Sequence, residues 1–146
     1  MDKVGSTHSG ADRGLPEKIG KYEVTRELGV GSTSRVYLCH DPYLGKDVAL
    51  KLYPAANDLP PGRARTHRRV FFNEAHMVGM LQHPSVVPIH DAGEDSGRYY
   101  IVMEYVRNAD PLTTWTKPGR LLPIHGVADV IFKCAKALDF AHRRGV

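Results

Sequence analysis

The chain has 146 residues, 42% hydrophobic and 25% charged, with a net charge of +4. That composition suits one ordinary soluble domain, burying about 68–70% of the unfolded surface if it forms a single core. No apolar run approaches the roughly 20 residues of a membrane span, and residues 1–20 hold no apolar stretch of signal-peptide type. The only cysteines, Cys39 and Cys134, imply no disulfide framework, and a reducing cytoplasm is the expected location. Much of the basic excess sits in Arg63, Arg65, Arg68 and Arg69, with His67 among them. With no interleaved aromatic residue for base stacking, this run reads as a solvated loop and helix start, not a nucleic-acid surface.

Residues 1–20 are rich in Gly, Ser, Asp and Lys without periodicity and read as a flexible leader. From Lys21 the pattern alternates. Tyr22, Val24 and Leu28 fall on one side and Glu23, Thr25 and Glu27 on the other, which predicts a half-buried strand. Val36 to Cys39 predicts a second strand and Asp47 to Tyr53 a third, joined through the turn residues Asp41 to Lys46. Short connections between successive strands argue for an antiparallel meander. Residues 54–63 form a loop around Pro54, Pro60, Pro61 and Gly62.

A helix is predicted from Thr66 to Gln82, with Val70, Glu74, Met77, Val78 and Leu81 on one face, and His83-Pro84 ends it. Val86 to His90 and Tyr99 to Glu104 read as two further strands across a turn at residues 93–98. A short helix over Pro111 to Thr116 and a long one from Pro123 to Arg144 close the chain. The apolar stripe of the long helix is Val127, Ile131, Cys134, Ala135, Leu138 and Ala141.

Two segments carry chemistry. The first is Leu28-Gly29-Val30-Gly31-Ser32-Thr33-Ser34-Arg35-Val36; the second is Val48-Ala49-Leu50-Lys51. Glycine admits a close backbone approach to a ligand, and lysine offers a compact positive charge to an anion. A glycine pair alone also marks many hairpin turns. Ala49 and Lys51, two apart in a strand, point to one face, leaving room for a flat ring with an amine just beyond it. A half-buried lysine needs a partner. Glu74, the carboxylate inside an apolar helix stripe, is the candidate, with a ligand-free structural salt bridge as the alternative reading of the pair.

These segments resemble the ATP-binding lobe of eukaryotic-like protein kinases, whose signature is G-x-G-x-x-G-x-V followed by V-A-x-K. His83-Pro84-Ser85-Val86-Val87-Pro88-Ile89 is similar to the family's H-P-N-I-V-x-[IL] segment, and Tyr100-Ile101-Val102-Met103-Glu104-Tyr105-Val106 to its fifth strand and hinge. Ala137 to Val146 resembles the helix leading into the catalytic loop, and the flavour is that of bacterial serine/threonine kinases. The resemblance implies an α+β fold: a five-stranded antiparallel sheet with one long helix over residues 21–106, then two helices of an incomplete second lobe over 107–146.

The resemblance also implies roles. Gly29 and Gly31, with Leu28, Val30, Ser32, Thr33 and Ser34, would cradle phosphates. Lys51 would hold the α- and β-phosphates and Glu74 would position it, a pair that a helix swing can break as a switch. Val36 and Ala49 would cover adenine, with Met103 as gatekeeper. The backbone of Glu104 and Val106 would face the adenine edge, and Asp110 the ribose. The cofactors implied are ATP and Mg²⁺, and the partner a protein substrate.

Two departures qualify this. Ser34 replaces the third glycine, stiffening the loop while adding hydroxyls. The H-R-D-x-x-x-x-N and D-F-G segments, which supply the base and the metal ligands, are expected beyond Val146. The chain is therefore expected to be a fragment without phosphotransfer of its own, and its last helix to be exposed, folded back or self-associated through its apolar stripe. The alternative function is a non-catalytic pseudokinase or scaffolding module. His76, His83 and His90 share no face that would hold zinc. Trp115 is expected to be a packing anchor, and both cysteines to be inert apolar residues.

Overall fold

The computed structural model describes residues 14–32, 34–55, 69, 71–73, 79 and 81–146. Expectations for residues 1–13, Thr33, Arg63, Arg65, His67, Arg68, Val70, Glu74, His76, Met77 and Val78 lie outside the described residues.

Among the described residues, six strands form one antiparallel sheet: β1 Lys18–Ile19, β2 Tyr22–Val30, β3 Arg35–Asp41, β4 Lys46–Leu52, β5 Ile89–Asp95 and β6 Arg98–Glu104. Their spatial order is β1-β2-β3-β4-β6-β5. Five strands were expected. The addition is β1, inside the predicted leader, where Lys18 pairs with Glu23 and Ile19 with Tyr22 across the tight turn at Gly20, φ 56°. Ile19 is buried at 3% exposure, so a single apolar residue recruits this segment to the sheet.

Turn chemistry sets the strand ends. The buried Asp41 carboxylate accepts the N–H groups of Tyr43 and Leu44 at 2.9 and 3.1 Å, and the Gly45 N–H donates to Asp41 O at 2.8 Å. Gly45 takes φ 61°, which a side chain would resist. Between β5 and β6, Ser96 and Gly97 both have positive φ, 50° and 73°, with Asp95 opposite Arg98. That is a two-residue hairpin loop of the kind that matches strand twist. It is shorter than the predicted turn, so β5 runs on to Asp95 and begins only at Ile89.

The sheet curls. Its main core, on one face, gathers Ile19, Tyr22, Tyr37, Cys39, Val48, Leu50, Leu52, Tyr100 and Val102. The curl brings the two ends of the sheet together. Gly20 N–H donates to Asp95 Oδ2 at 3.1 Å, and Tyr22 Oη–H to Asp91 Oδ2 at 2.6 Å. Lys21 Nζ stands 3.5 Å from Asp91 Oδ2 and 4.0 Å from Asp41 Oδ2. The opposite face holds a second cluster of Tyr53, Phe71 and Ile101.

Residues 69, 71–73 and 79 are helical, within the predicted helix. The buried residue there is Phe71, at 1% exposure, which the predicted stripe omitted. It stacks on Tyr99 with centroids 4.8 Å apart and meets Tyr53 edge-on at 5.6 Å, so aromatic packing claims it. Beyond β6, a 3₁₀ turn spans Leu112–Trp115 and the C-terminal helix Ile124–His142. No residue of the 3₁₀ turn is buried, which corrects Trp115 as a packing anchor. The C-terminal helix buries Ala137 and Ala141, while Ile131 and Leu138 are 62% and 57% exposed. His83 meets Phe140 on that helix, rings 5.1 Å apart. Cys134 is exposed rather than packed.

Candidate functional site

Register settles which side chains share a face, because directly opposed residues in an antiparallel pair project together. Leu38, Ala49 and Met103 form one row across β3, β4 and β6, and Val36, Lys51 and Ile101 the next. The rows lie about 7 Å apart along the strands. Val36, Ala49, Lys51 and Met103, predicted separately, thus occupy one patch. Ala49 is 8% exposed, and Lys51 and Met103 are half-buried. Lys51 Nζ lies 4.9 Å from the Tyr53 ring centroid, a cation–π contact at the edge of the second core cluster.

β2 and β3 meet beside this patch. Gly29 opposes Val36, Val30 opposes Arg35, and the Gly31 N–H donates to Ser34 O at 2.8 Å. Neither Gly29 nor Gly31 has positive φ. A Cβ at Gly29 would meet nothing within 4 Å, and one at Gly31 would come no nearer than 3.5 Å to Ser34 O. The chain's own conformation therefore requires glycine at neither position. Leu28 and Ser34 are half-buried; Val30 and Ser32 are exposed.

The segment after β6 borders the same patch. Glu104 opposes Val48, so its side chain leaves on the other face from Ala49, where Oε2 lies 2.8 Å from His90 Nε2. Its backbone N–H donates to Pro88 O at 2.9 Å. Val106 is 52% exposed, and among the described residues its N–H and C=O have no hydrogen-bond partner. Asp110 is exposed, in an irregular segment after β6. A surface depression is lined by Lys46, Asp47, Glu104, Tyr105, Val106 and Arg107. Asp47 and Arg107, which bond each other at 2.9 Å, had not been singled out from the sequence. The two-residue spacing from Asp47 through Ala49 to Lys51 carried that signal.

Burial alone would raise the Asp41 carboxyl, but the Tyr43 and Leu44 N–H groups and the ammoniums of Lys21 and Lys46 outweigh it and hold it below its ordinary value. Burial pushes the Cys39 thiol up to about 12 and, with the Asp91 hydrogen bond, pushes the Tyr22 hydroxyl up as well. Among the described residues, no group of three His, Cys, Asp or Glu side chains could hold a metal ion.

The protein kinase domain model matches residues 22–146. The chain belongs to the protein kinase family. It is similar to the serine/threonine-protein kinase PknD of Mycobacterium tuberculosis, 36% identical over 130 residues, covering 88% of this chain and 19% of that protein. Serine/threonine-protein kinase PrkC of Bacillus subtilis is 33% identical over 129 residues, 87% of this chain and 19% of PrkC. Among solved structures, the Mycobacterium tuberculosis PknI kinase domain superposes with a TM-score of 0.73 at 31% identity, covering 91% of this chain and 53% of that domain. The chain thus spans about a fifth of these relatives and about half of the solved kinase domain. Sheet and first helices match the smaller lobe and the start of the larger one, as expected of a bacterial-type serine/threonine kinase.

Proposed function

We propose that this kinase segment binds the nucleotide. Gly29 and Gly31, with the amides from Leu28 to Ser34, cradle the phosphates. Lys51 contacts the α- and β-phosphates, and Glu74 positions Lys51. Val36 and Ala49 cover adenine against Met103, the backbones of Glu104 and Val106 meet its edge, and Asp110 reaches the ribose. Residues 21–106 act as one lobe and 107–146 as the start of the next. The intact protein transfers the γ-phosphate of MgATP to serine or threonine hydroxyls of a protein, in the cytoplasm, while these 146 residues alone bind without turnover. The exposed stripe of the C-terminal helix is the surface for self-association.

One observation supports this most: four residues chosen for a nucleotide share one sheet face beside two glycines that the fold leaves unexplained. Among the described residues, no helix is long and apolar enough to cross a membrane. Calorimetric titration with ATP and magnesium tests the reading. Wild type should bind, and Lys51→Ala should weaken binding about 10- to 100-fold, the worth of a charge-assisted bond to phosphate. Equal affinity in both proteins would refute the assignment of Lys51.

A further inference from the structure

β4 projects three side chains onto the cleft face at two-residue intervals: Lys51, Ala49 and Asp47. The first two belong to the nucleotide reading. The third is held between an imidazole and a guanidinium. Asp47 Oδ1 lies 3.2 Å from His40 Nδ1 on β3, and Oδ2 accepts Arg107 Nη2 at 2.9 Å. Arg107 directly follows Val106. On the other side of Val106, Tyr105 Oη accepts Arg26 Nη2 from β2 at 3.3 Å. Val106 itself has no hydrogen bond among the described residues, so its neighbours fix where its peptide groups stand.

We propose that Asp47 is a positioning residue for nucleotide binding: by gripping Arg107 it sets the Val106 backbone against the Ala49–Met103 row. The proposal rests on the nucleotide reading above. The Asp47–Arg107 pair is largely open to solvent, so its part in stability is small. With Arg107 70% and Asp47 35% exposed, solvent screens the pair, and the expected effect on affinity is modest. A local tie of this kind acts by lowering the ordering cost that a ligand meets at the hinge.

The test is calorimetric titration of the full-length polypeptide with ATP in excess magnesium. Asp47→Asn and Arg107→Ala should each weaken binding by about two- to five-fold at unchanged melting temperature. The double variant should be no weaker than either single, and the charge swap Asp47→Arg with Arg107→Asp should restore affinity. If wild type binds and Lys51→Ala impairs it, but the two hinge variants have no effect or add independently, the positioning role is overturned and the nucleotide reading stands. If wild type fails to bind, both fall.

Discussion

Gly93→Ala isolates the packing that closes the sheet. Gly93 lies directly opposite Tyr100 in the β5–β6 register. A Cβ there would stand 2.5 Å from Tyr100 Oη, 2.6 Å from Cζ and 3.1 Å from Cε1. Ordinary contact begins near 3.4 Å, so the ring must retreat by about 0.9 Å. It has nowhere to go. Gly20 crowds the same ring, its own Cβ position lying 2.6 Å from Oη, and Tyr22 packs edge-on with centroids 6.1 Å apart. Overpacking of this kind costs about 1–3 kcal/mol. Removing a glycine returns roughly 0.5 kcal/mol through the unfolded chain. The net loss is about 0.5–2.5 kcal/mol, or roughly 2–10 °C in melting temperature for a domain of this size. Urea unfolding followed by circular dichroism measures it, with an unchanged m-value expected. Gly29→Ala is the control, because its Cβ meets nothing, so it should be neutral or slightly stabilising. Tyr100→Leu should abolish most of the Gly93→Ala penalty in a double-mutant cycle. If Gly93→Ala and Gly29→Ala unfold at the same urea concentration, the steric argument is wrong.

Asp41→Ala removes the acceptor of two turn N–H groups and should cost about 0.5–2 kcal/mol, by analogy with capping losses. Because the folded carboxyl titrates below its unfolded value, its contribution is complete above about pH 4 and fades as pH falls towards the folded value. Melting temperatures from pH 3 to 7 should therefore fall more gently in Asp41→Ala than in wild type on the acid side. Thiol alkylation at neutral pH, read by peptide mass spectrometry, should modify exposed Cys134 and spare Cys39, which should react only after denaturation. Tyr22→Phe should cost about 1 kcal/mol through the lost bond to Asp91, without affecting ATP affinity.

Much of the patch was readable because strands have a period of two. Once Ala49 and Lys51 were placed in one strand, their common face followed, and the register with Val36 and Met103 agrees. Periodicity said less where contacts are distant. Ile19 belongs to the core only because the sheet curls, so β1 was hidden in a polar leader. Phe71 is buried by Tyr53 and Tyr99 from other elements, which no stripe along its own helix reveals. Asp47 marked only the start of the third predicted strand, because its partner Arg107 lies sixty residues on.

The meeting of Gly20 with Asp95 and Tyr100 has a further consequence. An open sheet normally presents two bare rims, each a template for another chain. Here the rims are pinned near one another by Gly20, Tyr22, Asp91 and Asp95. A variant starting after Gly20 would keep the Tyr22–Asp91 bond but lose β1 and the Gly20–Asp95 bond, baring the edge of β2 and loosening the seam beside Tyr100. Such a shortened form should keep its other strands and yet clump, so a few residues of unpromising leader act as a guard against aggregation.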